Sequence, residues 1–289
     1  MDNTKKPIFL MCPPDHFIYP DTYRKINSHM NRMRAVNQER ACDQWQALAA
    51  ALFRNGAEIK LLSPVYGLPD MVFTRNGALS IPSVDGEKQV ILAAFKYEER
   101  RLERAHFFAW FQRHGYSIRY LPEHIVFEGN GEAIMFRNML FTGYGSTRMT
   151  FQTVPFIAAL LYGQKMGYIE VVPLRLVSED FYHLDTCFMP ILRSENHPDL
   201  IVYYPDAFDR YTISRINAIP DTIPIAVSKY DAYVFGCNFV VCNDAVIMPN
   251  GTVKLADTLR AHGVSVMEIE MSEFIECGGG GPFCLTLAI

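Results

Sequence analysis

The residues of this chain best suited to covalent chemistry are a cysteine, a histidine and a glutamate, each inside a short apolar run. Cys284 follows four glycines in GGGGPFCLTLAI, His183 lies in FYHLDTCF and Glu128 lies in IVFEGNGE. A thiolate is the nucleophilic form of cysteine, and a neighbouring imidazolium maintains it near neutral pH. The glycines leave a flexible segment without side chains, so backbone amides could approach a substrate closely. These residues predict a nucleophile, Cys284, and a general acid/base, His183.

Acidic residues accompany this pair and indicate the charge of the substrate. Glu128 is predicted to hold either the imidazole or a substrate cation. Asp185 stands two residues after His183, which places both side chains on one face if the segment is a strand. Two carboxylates beside a thiol and an imidazole suit a guanidinium, because carboxylates bind it in a bidentate manner and leave its central carbon open to attack. A peptide bond would need no such acidic site.

The remaining cysteines favour a structural interpretation. The seven cysteines are odd in number and scattered, without a CxxC pair, so neither a disulfide framework nor a zinc site is expected. Six of them are predicted to be small buried apolar residues. The segment GNGEA is too short for a phosphate-binding loop and lacks its lysine, which excludes nucleotide binding. No metal and no cofactor is therefore expected.

A repeated local pattern predicts the elements that position these residues. Amphipathic segments end at Gly56, Gly115, Gly167 and Gly263, and each is followed at once by an alternating, strand-like segment. A fifth copy has Pro220 where the others have glycine. The spacing predicts five ββαβ-like units of roughly 50 residues each.

Each predicted unit also contains a second strand in which polar residues interrupt an apolar run. Burial of such polar groups is costly unless they serve a site. Five equivalent positions would converge if the units surround a pseudo-fivefold axis, which predicts an α/β fold in the form of a five-bladed propeller over residues 1–289. The converging residues would be Asn76, Glu128, His183, Asp185, Cys237, Asn238 and Cys284.

Composition and charge restrict the class of partner. The net charge of −4 and the pI near 6.1 disfavour a nucleic-acid partner. Prolines interrupt the first apolar run too early for a signal peptide or a membrane span. We expect a cytoplasmic protein with a small-molecule substrate, and the sequence leaves a homo-oligomer open. The stretch 97–113 is predicted to form one amphipathic helix with a charged outer face.

The order of these motifs resembles the guanidine-modifying penteins, which include arginine deiminase, dimethylargininase, amidinotransferases and arginine dihydrolase. The resemblance extends over the whole chain, through MCPPDHF, INSHM, PDMVFTRNGAL, YEER, FEGNGE, HLDTCF, CNFVV and GGGGPFCLTL. It implies one catalytic pentein domain with Cys284 as nucleophile, His183 as general acid/base and Glu128 as supporting carboxylate. It further implies that Asp185 holds the guanidinium and that Arg100 and Arg148 bind a substrate carboxylate.

Three residues distinguish subgroups of this superfamily. Arginine deiminase and dimethylargininase have an aspartate where this chain has Asn76. Together with Asn27 and Phe73, Asn76 is similar to the arginine dihydrolases, which convert arginine to ornithine, ammonia and carbon dioxide. INSHM and FEGNGE depart from the commoner INPWM and FEGxGD. The alternatives are a dimethylarginine dimethylaminohydrolase, an amidinotransferase and a non-catalytic pentein that binds ribosomes or proteins, as one initiation factor does.

Overall fold

The computed structural model describes residues 6–81, 87–145, 147–162, 169–193 and 196–289. The chain divides into two compact units. The cysteine unit comprises Met1–Thr74 and Ser228–Ile289, and the histidine unit comprises Arg75–Val227. In the ranges just given, no helix is both long enough and apolar enough to span a membrane.

Short strands alternate with helices along the chain. The strands are β1 (Ile8–Met11), β2 (Glu58–Leu61), β3 (Ala78–Ile81), β4 (Gln89–Leu92), β5 (Ser117–Arg119), β6 (Ala133–Phe136), β7 (Met139–Tyr144), β8 (Glu170–Arg175), β9 (Phe188–Ile191), β10 (Asp199–Tyr203), β11 (Thr222–Ala226), β12 (Val240–Cys242), β13 (Ala245–Pro249), β14 (Ser265–Ile269) and β15 (Leu287–Ala288). The helices are α1 (Gln38–Arg54), α2 (Glu98–Arg101), α3 (Glu103–Arg113), α4 (Thr153–Leu161), α5 (Arg210–Asn217), α6 (Lys229–Tyr233) and α7 (Val253–Ala261).

The strands of the described ranges form five three-stranded sheets of one topology. The cysteine unit contains the sheets β15-β1-β2 and β12-β13-β14, and the histidine unit contains β3-β4-β5, β6-β7-β8 and β9-β10-β11. In each sheet the first strand is antiparallel to the middle strand, and the middle and last strands are parallel. A helix connects the two parallel strands, as parallel pairing requires. The predicted five ββαβ units are confirmed, and in the sheet that contains β1 the first strand comes from the end of the sequence.

The predicted helix stops are confirmed where the structure describes them. Gly56, Gly115 and Gly263 have φ of +85°, +76° and +79°, the left-handed conformation that ends a helix. Gly167 lies outside the described residues. In the unit with Pro220, the next residue, Asp221, adopts φ of +54° and takes the same conformation.

In the three repeat units of the histidine unit, the polar residues lie on or beside turns, which corrects the sequence-based placement within strands. The 3-10 turn Thr74–Gly77 leads directly into β3, and the 3-10 turns Gly129–Gly131 and Leu184–Thr186 are each one residue away from β6 and β9. Asn76 lies on the first, Glu128 and His183 begin the other two, and Asp185 lies within the third. On a turn, polar side chains and backbone groups can form hydrogen bonds with one another. In a central strand, the same side chains would point into apolar layers. The alternation argument for Asp185 therefore does not apply.

The predicted helix over residues 97–113 is divided in two, α2 and α3. Two charged residues of this stretch, Arg100 and Glu103, are buried with 3% and 0% exposure and do not belong to a charged outer face. A core cluster of the histidine unit contains residues of its strands and of α4, among them Ile91, Leu140 and Ile157.

Gly115 isolates the contribution of left-handed backbone conformation to stability. A methyl group added at Gly115 would meet no atom within 4 Å. We expect Gly115→Ala to lower the free energy of unfolding by about 1 kcal/mol, because alanine is strained at positive φ. Urea denaturation measures the change. As a control, Asp221→Gly relieves the same strain and should not destabilise; equal stability of Gly115→Ala and the parent would contradict the assignment.

Candidate active site

The buried carboxylate of Glu128 accepts hydrogen bonds from several groups of the histidine unit. Arg148 Nη1 donates to Glu128 Oε1 and Oε2 at 2.8 and 2.7 Å. The backbone N–H of Lys96 donates to Oε1 at 3.2 Å. The Arg148 guanidinium lies 4.5 Å from the ring centroid of Tyr97 and 5.1 Å from that of Tyr182. Glu128 is thus held by donors, and the cation that compensates it is itself fixed in place.

These contacts determine the charge of Glu128. Burial alone would raise the pKa of this carboxyl, but Arg148, the hydrogen bond and charge of His183, and Arg100 together lower its pKa far below the ordinary range. Glu128 is therefore an anion at any physiological pH, and it can only accept hydrogen bonds.

The imidazole of His183 lies between two partners of opposite hydrogen-bonding character. Its Nε2 is 3.1 Å from Glu128 Oε2, and its Nδ1 is 3.5 Å from Asn76 Nδ2. Because the carboxylate only accepts, Nε2 carries the hydrogen. Because the Oδ1 of Asn76 accepts from Arg100, its Nδ2 faces the imidazole as a donor. Nδ1 is therefore the acceptor in the neutral ring.

The protonation state of His183 differs from the imidazolium that the sequence argument used. Burial lowers the pKa of His183 to about 4; Glu128 opposes this shift, while Arg148 and Arg100 add to it. In the free protein the ring is neutral at neutral pH, with Nδ1 able to take up a proton. His183 is thus prepared to act first as a base.

A second buried ion pair orients Asn76. Arg100 Nε and Nη2 donate to Glu103 Oε1 and Oε2 at 3.0 and 2.8 Å, and Arg100 Nη1 donates to Asn76 Oδ1 at 2.9 Å. The backbone of Gly131 passes so close that a Cβ there would lie 2.4 Å from Asn76 Nδ2. Only glycine at residue 131 leaves space for the amide beside His183.

Glu132 is a further carboxyl in this cluster, and the sequence argument overlooked it. It is fully buried, and its Oε1 lies 3.6 Å from His183 Nε2. Burial raises its pKa well above the ordinary value, the charges of Glu128 and Asp185 raise it further, and Arg148 opposes them. The signal available in the sequence was the second acid in FEGNGE, four residues after the first.

In the cysteine unit, Asn238 holds both the thiol and the backbone of the turn that carries it. Asn238 Nδ2 donates to Cys284 Sγ at 3.1 Å. Its Oδ1 accepts from the backbone N–H groups of Gly281 and Cys284 at 3.1 and 3.2 Å. An amide N–H directed at sulfur is complementary to a thiolate.

The glycine run is packed closely, which differs from the flexible segment that was expected. Gly279 has φ of +77°, and a Cβ there would lie 2.3 Å from Asn27 Oδ1. Cβ atoms at Gly278 and Gly280 would each lie 2.5 Å from the ring of Phe73. The absence of side chains thus allows Asn27 and Phe73 to pack against this backbone.

Asn27 connects the run to a neighbouring loop. Its Nδ2 donates to the Gly278 carbonyl at 3.0 Å, and its Oδ1 accepts from the N–H groups of His29 and Met30, each at 3.1 Å. Asn27 therefore positions the segment that leads to Cys284. Its contact with a substrate stays a prediction, as does that of Phe73.

The arginines predicted to bind a substrate carboxylate are already engaged by protein groups. Arg100 binds Glu103 and Asn76, and Arg148 binds Glu128. Their roles toward a substrate stay predictions. Within the described ranges, no group of three or more histidine, cysteine or acidic side chains is arranged to hold a metal ion.

A family model and two similar known enzymes have names that refer to arginine or dimethylarginine. A family model described as "N,N dimethylarginine dimethylhydrolase, eukaryotic" matches residues 13–289. The bifunctional arginine dihydrolase/ornithine cyclodeaminase ArgZ of Synechocystis sp. is 39% identical over 97% of this chain, and the match spans 37% of its own length. The N(G),N(G)-dimethylarginine dimethylaminohydrolase of Mycobacterium tuberculosis is 33% identical over 97% of this chain and 85% of that protein.

A solved structure matches nearly the full length of both chains. It is a cysteine-to-serine variant of the N-terminal domain of ArgZ, bound to substrate and described as an arginine dihydrolase from the ornithine-ammonia cycle in cyanobacteria. The match has a TM-score of 0.83 and 37% identity, and it covers 98% of each chain. The fold, an α/β pentein, and the carboxyl–imidazole cluster define a protein of the guanidine-modifying pentein superfamily. Within it, the chain belongs to the N,N-dimethylarginine dimethylhydrolase family.

The neutral state of His183 can be measured directly. In nitrogen-15 NMR spectra of the imidazole, we expect the Nε2–H tautomer at neutral pH and a pKa of about 4. Unfolded chains bind this proton near pH 6.5, so the contribution of His183 to the free energy of unfolding should fall as the pH drops from about 6.5 to about 4. A pKa at or above the ordinary histidine value would contradict the assignment.

Substitution of Asn76 tests whether the neutral amide beside Nδ1 helps to keep the pKa of His183 low. Asn76→Asp replaces the N–H donor at Nδ1 with a carboxylate, which should raise the pKa of His183 by about 1 to 3. Asn76→Ala removes the donor without adding charge and should leave the pKa low. If both variants changed the pKa equally, the effect would not come from the charge at residue 76.

Proposed function

We propose that this protein hydrolyses the guanidino group of arginine in the manner of an arginine dihydrolase, releasing ornithine, ammonia and carbon dioxide. The observation that carries the proposal is the cluster of buried carboxyl groups, Glu128, Glu132 and Asp185, around the imidazole of His183. A cluster of buried carboxyl groups favours a cationic ligand, and the planar guanidinium has N–H donors that match carboxylates in pairs.

The relatives support the choice of reaction. ArgZ is described as bifunctional, and this chain matches 37% of its length. The matching part is its N-terminal domain, which is described as an arginine dihydrolase. We therefore propose the dihydrolase reaction and not the cyclodeaminase reaction. The proposal takes residues 1–289 as one catalytic domain that acts on a small molecule, with the cytoplasm as the predicted compartment.

The first half of the proposed reaction uses the neutral imidazole. Nδ1 of His183 accepts the thiol proton of Cys284, and the thiolate attacks the central carbon of the guanidinium, which Glu128 and Asp185 hold. The neutral tetrahedral adduct collapses as His183 returns the proton to a departing nitrogen, which leaves as ammonia. A covalent S-alkylthiouronium cation remains on Cys284.

The second half uses water. His183 accepts a proton from a water molecule, the hydroxide attacks the thiouronium carbon, and the C–S bond breaks to release citrulline and the thiol. In the dihydrolase sequence the ureido carbon of citrulline is attacked in turn, and a second ammonia and carbon dioxide leave with ornithine.

A second candidate is dimethylarginine hydrolysis to citrulline and dimethylamine. The name of the matching family and the 33% identity with the Mycobacterium tuberculosis enzyme favour it. Asn76 favours arginine over this candidate, because the resemblance assigns an aspartate to that position in dimethylargininase.

One assay tests the proposal by following all the products. With arginine, we expect ornithine and ammonia; Cys284→Ser should abolish turnover, because a hydroxyl is a far weaker nucleophile than a thiolate. Mass spectrometry of the parent protein during turnover should detect the adduct on Cys284. The matched control Cys42→Ser changes a half-buried cysteine of α1 and should leave the rate unchanged.

Each contrary outcome of this assay identifies a different error. Accumulation of citrulline without ornithine would refute the dihydrolase reaction, and faster release of dimethylamine from dimethylarginine would support the second candidate. Guanidinoacetate formed on addition of glycine would indicate an amidinotransferase. No turnover of any guanidino compound would favour the non-catalytic alternative, and unchanged turnover by Cys284→Ser would refute the nucleophile.

Asn238 provides a separate test of the cysteine turn. Asn238→Asp retains an acceptor for the Gly281 and Cys284 amides but loses the donor to sulfur. We expect kcat to fall at least about 10- to 100-fold, because one hydrogen bond to a charged atom is lost and a buried carboxylate beside Sγ disfavours the thiolate. Asn238→Ala removes both functions and should lower Tm as well. Equal kcat of Asn238→Asp and the parent would show that the contact with Sγ has no catalytic role.

A further inference from the structure

Glu132 is a buried acid for which the proposed mechanism has no use. Its side chain has 0% exposure, and within the described residues neither carboxyl oxygen has a hydrogen-bond partner. Its Oε1 lies 3.6 Å from His183 Nε2, but the hydrogen on Nε2 already points to Glu128 Oε2 at 3.1 Å. An ionised carboxylate left in this condition would bear a large desolvation cost.

The charges that face Glu132 do not favour its ionisation. Glu128 and Asp185 are acidic, His183 is neutral, and Arg148 is the cation that acts on Glu132. Arg148 already makes two hydrogen bonds to Glu128. A second anion at Glu132 would therefore have to share a cation that Glu128 already engages, in agreement with the raised pKa of Glu132.

We propose that Glu132 holds a proton in the free protein and releases it to solvent when the guanidinium of the substrate binds, so that a cation and a proton compete for one carboxyl group. The neutral acid becomes a carboxylate as the cation arrives, and the total charge of the buried cluster does not change. A guanidinium provides the N–H donors that the oxygens of Glu132 lack. This inference rests on the guanidino substrate of the proposed function and adds a linked proton to it.

Such competition gives affinity a specific pH dependence. Below the pKa of Glu132 in the free protein, each binding event releases about one proton, so affinity rises about tenfold per pH unit. Above that pKa, Glu132 is already ionised and affinity no longer changes with pH. The slope is opposite in sign to that of a ligand which needs a protonated acid.

Calorimetry with the full-length Cys284→Ala variant measures the released proton while turnover is blocked. L-Arginine is titrated at several pH values across the range in which the protein is folded, each in two buffers with different ionisation enthalpies. We expect release of about one proton at the lower pH values and a declining number as the pH rises. Adding Glu132→Gln, the neutral isostere, should remove both the release and the pH slope. Adding Glu123→Gln, an exposed acid, should change neither.

Binding without proton release in the Cys284→Ala parent would overturn the inference, even if Glu132→Gln failed to fold. Infrared spectra of the free protein give an independent readout: a carbonyl band of a neutral carboxylic acid should be present and should disappear in Glu132→Gln. Absence of that band would overturn the inference while leaving the proposed function intact. If no guanidino compound bound although the band was present, the proposed function and the competition would both fail.

Discussion

The bond between Arg148 and Glu128 is the interaction on which the rest of the histidine cluster depends. It keeps a fully buried carboxyl ionised, and an ionised carboxylate can only accept. That restriction places the hydrogen of His183 on Nε2 and leaves Nδ1 as the basic atom. The same negative charge makes a second anion at Glu132 unfavourable. One ion pair thus determines the protonation of two further groups.

The two units use different means to hold their reactive side chains. In the histidine unit, the ion pair of Arg100 with Glu103 directs a guanidinium N–H at Asn76, which in turn faces the imidazole. In the cysteine unit, neutral amides perform this task, since Asn238 binds the thiol and its turn. Buried ion pairs fix the charge of their neighbours, whereas amides orient a group without adding charge.

The features that the sequence predicted correctly depend on local signals. A helix that ends in the left-handed conformation favours glycine at that position. Gly56, Gly115 and Gly263 therefore revealed the repeat. The turns that carry Asn76, Glu128 and His183 were taken for strands, because a 3-10 turn between apolar residues has no periodicity of its own. The burial of Arg100 and Glu103 was missed, since an i,i+3 pair of charges has the same pattern on a surface and in a core. Tertiary contacts determine both the turns and this burial, and the spacing of residues in the sequence does not encode such contacts.

The amide at residue 76 has a consequence that follows from the charges around it. Arg100 is compensated by Glu103 and Arg148 by Glu128, so Asn76 joins a cluster whose arginines are already paired. A carboxylate in its place would have no hydrogen to donate to Nδ1, and its charge would favour the imidazolium. The imidazolium has no lone pair with which to accept the thiol proton or activate water. Because the proposed dihydrolase must activate water in two successive rounds, the neutral amide favours the form of His183 that each round requires.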